Sequence, residues 1–338
     1  MVGIVKHVSS FAARSSAFSL VMRVLERAER QRADLLRVLT YHRVDEPSAR
    51  PTLHPRLISA TPADFDRQIR LLAANYRVLS MRQVIEALAG GRSLPPRAVL
   101  ITFDDAYRDF AENAWPILQR HGLPVTLFVP TGYPDRPERV FWWDRLYRGF
   151  QAAVDRRELD TPIGRFSLST PARRRRVCDR LIGYVKTLPH HAAMDFVSCV
   201  CEELGTASTE NHVLSWNDLR RLAGEGVTLG AHSRTHPLMN RTSVLEAEVE
   251  AVGSLRDLRR QVGEVLPIFA YPAGGLDGGV VRALKREGFS LAFTTHCAIN
   301  DMKTADPLRL GRINVSRRTT LGILRARLHG WSRCFGRR

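Results

Sequence analysis

The sequence predicts an α/β fold: one barrel-like domain of alternating strands and helices, with an insertion, in a chain of 338 residues. Three observations carry that expectation. The run 99–103 is apolar and rich in β-branched residues, and it stops at two adjacent carboxylates, Asp104 and Asp105. Such a run reads as a buried strand of a parallel sheet with the acids at its C-terminal mouth, where α/β folds place their chemistry. A second strand-like run, 227–231, breaks in the same way into His232-Ser233-Arg234-Thr235-His236. Around both runs, strand and helix patterns alternate, which is the signature of a parallel sheet.

In chain order, residues 38–41 form the first expected strand, with His42 at its end. Thr61 as N-cap and Pro62 in the first turn open a helix that places Phe65, Ile69 and Leu72 on one face. A short strand at 77–79 and a helix at 81–89, stopped by Gly90-Gly91, lead into the Asp-bearing strand. A helix over 110–121 and a strand over 125–129 follow. Residues 132–212 depart from a compact barrel. They hold an aromatic cluster, Phe141-Trp142-Trp143, then basic helices such as 172–188, and are expected to form an insertion beside the active face. The aromatics suit core packing, with stacking on sugar rings as the alternative. Ser215 caps the next helix, which leads to the His-bearing strand. A long helix at 242–262, a strand at 266–271, a helix at 279–287 and strands at 290–294 and 310–315 complete the domain. The expected organisation is therefore a basic N-terminal segment (1–37), a barrel (38–316) and a basic tail (317–338).

A formal net charge of +17 implies attraction to anionic partners: acidic lipid, anionic glycan or nucleic acid. The basic residues are scattered and no zinc-finger spacing occurs, so no nucleic acid partner is expected. The five cysteines, Cys178, Cys199, Cys201, Cys297 and Cys334, are odd in number and irregularly spaced, which predicts no disulfide framework. Cys199 and Cys201 lack the two-residue gap of zinc or redox pairs and read as buried or partly buried thiols in a helix, which suits a reducing compartment. The first 37 residues show no uninterrupted apolar stretch of the secretory type, because Lys6, Arg14 and Arg23 break it. Residues 18–28 read as an amphipathic helix, fit to lie on an anionic membrane surface or to pack on the domain's flank.

The chemistry rests on the two strand ends. If both belong to one sheet, one carboxylate and two imidazoles converge on a site with room for water and substrate. Simpler alternatives exist for each part: Asp105 as a helix cap with Asp104 on the surface, and two loop histidines with unrelated roles.

Taken together, Thr102-Phe103-Asp104-Asp105, the His232-x-x-x-His236 pair, Phe269-Ala270-Tyr271-Pro272-Ala273-Gly274-Gly275 and Leu39-Thr40-Tyr41-His42-Arg43 resemble the polysaccharide deacetylases of carbohydrate esterase family 4. The Tyr-His pair resembles the circularly permuted branch, which includes poly-N-acetylglucosamine deacetylases. The resemblance spans residues 39–315. It implies a distorted (β/α) barrel and a divalent ion, zinc or else cobalt or nickel, on Asp105, His232 and His236. It further implies Asp104 as general base, His42 as general acid, and Tyr271 and Pro272 near the oxyanion. The implied reaction is N-deacetylation of a saccharide. O-acetyl ester cleavage and non-catalytic glycan binding are the alternatives. Two departures stand out. Ala270 occupies the position where the family has an arginine that orients the catalytic Asp, and Arg312 is a candidate to replace it. The late Leu-x-x-His of the unpermuted branch is not evident, since His296 lacks its spacing. The expected place of action is the cytoplasm, peripheral to the inner membrane surface, with a lipid-linked sugar as one form of substrate.

Overall fold

The structure is a computed structural model that describes residues 32–205 and 211–329. The predicted amphipathic segment at 18–28 and Cys334 lie outside the described residues. Strand β1 is Leu35–Tyr41, followed by β2 (Arg43–Val44) and β3 (Ile58–Ala60). Helix α1 (Pro62–Asn75) starts as its sequence requires. The Thr61 side chain accepts from the Asp64 amide at 3.2 Å, and Phe65, Ile69 and Leu72 are fully buried. Then come β4 (Arg77–Val78), α2 (Met81–Ala89) and β5 (Ala98–Phe103). The helix expected over 110–121 is split. One π-helical turn, Phe110–Ala114, precedes α3 (Trp115–Arg120), next to Pro116, which has no amide hydrogen to give the regular ladder.

After β6 (Thr126–Val129) the chain leaves the barrel. It forms α4 (Trp142–Ala152), a hairpin of β7 (Glu158–Thr161) and β8 (Gly164–Ser167), α5 (Pro171–Val185) and α6 (His190–Glu203). This section buries its own apolar cluster, built on Leu146, Phe150, Leu181, Val197 and Val200, separate from that of the barrel. Cys178 and Cys201 are buried in it. Cys199, expected to be at least partly buried, is exposed, because it lies on the opposite face of α6 from Val197 and Val200. The chain returns through α7 (Trp216–Gly224), β9 (Thr228–Ala231), α8 (Val244–Val262), β10 (Ile268–Ala270), α9 (Gly278–Arg286), β11 (Leu291–Phe293), β12 (Asn300–Asp301) and β13 (Ile313–Asn314). The stretch from residue 317 is more than a basic tail. Helix α10 (Leu321–Leu328) is capped by Thr320 and buries Leu324 and Leu328 against the barrel.

The main sheet runs β11-β10-β9-β6-β5-β1, every neighbouring pair parallel. The segment from Leu310 to β13 closes it: Leu310 bridges Phe293 of β11, while Ile313 and Asn314 pair with Leu39 and Thr40 of β1. The result is a small distorted (β/α) barrel. Alternation along the strands sorts the side chains. Leu36, Val38, Ala98, Leu100, Phe128, Ile268, Ala270, Leu291, Phe293 and Leu310 share the interior cluster. Leu39, Tyr41, Val99, Ile101, Phe103, Phe269 and Tyr271 pack outward against the helices. Gly230 allows the interior to fill, since a Cβ there would lie 2.6 Å from the Phe128 ring.

Candidate metal centre and catalytic site

Continuing the interior parity past the strand ends leads to His42, Asp104, His232 and Arg312. These are the inward positions at the C-terminal mouth of β1, β5, β9 and the closing segment. Asp104, His232 and Arg312 are buried and His42 is half-buried.

Asp105 and His236 reach the same place by another route. Asp105 (φ 72°) and the next residue, Ala106 (φ 52°), are left-handed, as are Ser233 (φ 62°) and His236 (φ 60°). None is glycine, so each holds a conformation that costs an L-residue about 1 kcal/mol or more. The tight turns swing both side chains back over the barrel mouth. Neighbouring groups hold the His loop in that shape. The Arg234 and Thr235 amides donate to Glu250 Oε2 at 2.7 and 2.8 Å, and the His236 amide donates to Ser233 Oγ at 3.0 Å. The Arg234 side chain is tied to Asp257 by two hydrogen bonds, at 2.7 and 3.0 Å.

Asp105 Oδ1 lies 3.4 Å from His232 Nε2 and 3.3 Å from His236 Nε2. One ligand atom from each of the three residues falls within 4.8 Å of the others. His232 Nδ1 is 2.8 Å from the Ala270 carbonyl, which can only accept. That nitrogen therefore carries the proton, which leaves Nε2 facing the centre as the atom that would ligate once it is deprotonated. Asp105 Oδ1 is buried and has no hydrogen-bond partner. A carboxylate oxygen left so is costly, and a divalent cation among these three groups satisfies it. The donor set therefore fits a metal. Burial alone would raise the Asp105 pKa, but the facing imidazoles outweigh it and hold the carboxyl well below the usual range.

Beside this trio stands Asp104, 4.0 Å from His232 Nε2 through Oδ2. Arg312 grips it with a two-pronged fork, Nη1 to Oδ1 at 2.8 Å and Nη2 to Oδ2 at 2.7 Å. The Arg312 Nε donates to the Thr294 carbonyl at 2.9 Å, which fixes the guanidinium plane. Burial pushes the Asp104 pKa up, but Arg312 and His232 bring it below its ordinary value, so the group is a carboxylate. The His42 imidazole lies close enough to act electrostatically on both Asp104 and Asp105.

A family description, polysaccharide deacetylase, matches residues 91–158 and 177–292, over half of the chain. The chain belongs to the polysaccharide deacetylase family. Among curated relatives, the poly-beta-1,6-N-acetyl-D-glucosamine N-deacetylase of Escherichia coli (strain K12) is 34% identical over 112 residues. That alignment covers 32% of this chain and 16% of the relative. The enzyme of the same name from Staphylococcus aureus (strain N315) is 33% identical over 76 residues, covering 22% and 26%. The matches thus span about a quarter or less of those relatives. Among solved structures, the Streptococcus pyogenes deacetylase PplD in complex with acetate superposes with a TM-score of 0.58 at 21% identity, covering 87% of this chain and 97% of that one. IcaB from Ammonifex degensii gives 0.56 at 21% identity, covering 88% and 97%. At that identity the superpositions speak for the fold.

Within this member of the family, the expectation of Tyr271 as an oxyanion donor needs correction. The Tyr271 hydroxyl donates to the Leu308 carbonyl at 3.0 Å, and its amide donates to the Phe293 carbonyl at 2.9 Å. Pro272 has no amide hydrogen. Neither residue has a donor left for an oxyanion, and both instead shape the loop after β10. The aromatic cluster is mostly core, as expected: Phe141 and Trp142 are buried. Trp143 is the exception. Half-buried, it stacks on Phe141 at 4.5 Å and sets its ring edge-on to His236 at 4.9 Å. Sequence reasoning did not find Glu250, Asp257 or Asp109, each of which holds a site loop from a distance.

Proposed function

We propose that this chain is a metal-dependent N-deacetylase acting on an N-acetylated saccharide. The observation that carries the reading is the buried trio Asp105, His232 and His236 with the Arg312-held Asp104 carboxylate at its side. The trio would hold the divalent cation, zinc by the nature of its donors, with cobalt or nickel able to stand in. When bound, the ion lowers the pKa of water and polarises the acetyl carbonyl. Asp104 accepts the proton of the attacking water. Arg312 fixes the direction of its lone pairs, and burial keeps bulk water from competing for them. His42, at the end of the neighbouring strand β1, gives a proton to the departing amine nitrogen. Proton transfers of this kind contribute on the order of a hundredfold to ten-thousandfold each. The names of the curated relatives support an N-acetylglucosamine polymer as the substrate class.

The test is acetate release from N-acetylated and O-acetylated oligosaccharides after chelation and return of zinc, cobalt or nickel. Metal-dependent release from the N-acetylated set is expected. Release confined to O-acetyl esters would make the protein an esterase. No release with any metal would make it a glycan-binding member of the fold.

We place its action at the cytoplasmic face of an anionic membrane, on a lipid-linked form of the sugar. The net charge of +17 supports this reading, because each basic side chain near an anionic leaflet contributes about 1 kcal/mol of attraction. No helix among the described residues is long and apolar enough to cross a membrane. Flotation with anionic vesicles, strong at low salt and lost at high salt, is the expected result. A variant lacking residues 1–32 should float less. Absence of binding would leave a soluble saccharide as the substrate.

A further inference from the structure

Asp109 lies four residues after Asp105, where the chain turns helical, is 1% exposed, and takes no part in the chemistry proposed above. Its two oxygens are used on the two residues that follow His42. Oδ2 accepts from Arg43 Nε at 2.7 Å, and Oδ1 accepts from the Val44 amide at 3.1 Å. Arg43 is itself fully buried. Its Nη2 reaches Asp45 Oδ2 at 2.8 Å, and its guanidinium lies 5.5 Å from the Tyr107 ring centre. On the other side of His42, the Tyr41 carbonyl accepts from the Asp104 amide at 2.9 Å. The His42 amide itself donates to Ser59 Oγ at 3.0 Å. The backbone on both sides of His42 is therefore tied to the loop that carries Asp104 and Asp105. A buried ion pair is a poor source of stability, since desolvating two charges offsets most of their attraction. What this pair adds is a side-chain tie between the two loops beyond the last backbone pairing of β1 with β5.

We propose that Asp109, acting through Arg43 and the Val44 amide, is a positioning residue that sets His42 against Asp104 and the leaving group. The proposal rests on the reading of His42 as proton donor. It predicts a defect that depends on the leaving group. An acetamido sugar departs as an amine that needs the proton, whereas an activated aryl acetate departs without one.

Two variants test it. Asp109→Glu keeps the charge and lengthens the arm by one carbon. The double variant Arg43→Gln with Asp109→Asn replaces the ion pair by two neutral amides, so no charge is left buried alone. For each, kcat on an N-acetylglucosamine oligomer should fall on the order of tenfold to a hundredfold, with kcat on the aryl acetate within about threefold of wild type. Bound zinc per chain should be unchanged. Equal losses on both substrates, or no loss on either in a folded variant, would overturn the proposal. His42→Ala, measured alongside, separates the two failures. If it shows the leaving-group split and the Asp109 variants do not, positioning fails alone. If His42→Ala shows no split, the proton-donor reading fails and the proposal falls with it.

Discussion

Arg312 and Asp104 lie 208 residues apart in the chain and are joined by two hydrogen bonds of 2.8 and 2.7 Å. Ala270 stands where the family resemblance expects an arginine, and the guanidinium that holds Asp104 comes instead from the closing segment. A planar fork holds both carboxylate oxygens, whereas an ammonium can hold only one direction. Arg312→Lys should therefore keep the metal and the fold but lower kcat by about tenfold to a hundredfold. Zinc content and near-ultraviolet circular dichroism are the controls. A lysine variant with wild-type kcat would show that the fork does not orient the base.

Metal removal separates the trio from its neighbours. Asp105→Ala, His232→Ala and His236→Ala should each lose bound zinc, while the melting temperature of the metal-free protein changes little, because the ligands sit on loops beyond the strand ends. Asp104→Asn should bind zinc and release almost no acetate, since an amide cannot take the water's proton. Metal analysis after dialysis checks both, and a ligand variant with full zinc occupancy would remove that residue from the trio.

Glu250 touches no ligand atom, yet it receives the Arg234 and Thr235 amides of the turn between His232 and His236. Supporting groups of this kind are worth on the order of tenfold to a hundredfold in metal affinity. Glu250→Ala should weaken zinc binding by that factor and restore near-normal kcat at saturating zinc. A loss of kcat that excess zinc does not repair would mean that Glu250 acts on more than the loop.

Much of this site can be read from strand parity. Once Val38, Leu100 and Leu310 are taken as interior, residues 42, 104 and 312 must face the same mouth. The same count places Tyr271 on the outer side with Phe269, which is why its hydroxyl ends on Leu308 and not at the site. The left-handed turns at Asp105, Ala106, Ser233 and His236 were not legible, because no glycine marks them. Arg312 was nameable as a partner for Asp104 only through the resemblance, and nothing local links residue 250 to 234. Such pairs exist only once the barrel closes and α8 docks. The hairpin β7–β8 escaped because its strands are polar and mostly exposed. Helix α10 had its cap and its Leu324–Leu328 spacing in plain view, but the basic composition concealed them.

The last prediction concerns Asp144, the buried acid that joins α4 to the barrel. One of its oxygens, Oδ2, accepts from the Tyr107 hydroxyl at 2.6 Å, and the other, Oδ1, accepts from the His54 amide at 3.0 Å. Arg43 and Arg148 lie near enough to favour its charge. Burial nevertheless dominates and pushes its carboxyl from an ordinary 3.8 up to about 6. An acid raised in this way holds a proton in the folded protein that the unfolded chain has already released. Between pH 6 and pH 4 the folded state therefore binds more protons, and stability from this group rises as the pH falls. Above pH 6 both states are ionised and the folded protein bears the full cost of the buried charge. Asp144→Asn mimics the protonated form at every pH, and Asp109, also pushed up to about 6, is common to both proteins and cancels. The stability of wild type relative to Asp144→Asn should thus increase as the pH falls from 7 to 4, by at most about 3 kcal/mol. Urea unfolding at several pH values checks it, with chelator present so that metal binding adds no pH dependence of its own. A difference that stays flat, or that runs the other way, would mean that the Tyr107 and His54 bonds and not burial govern this carboxylate.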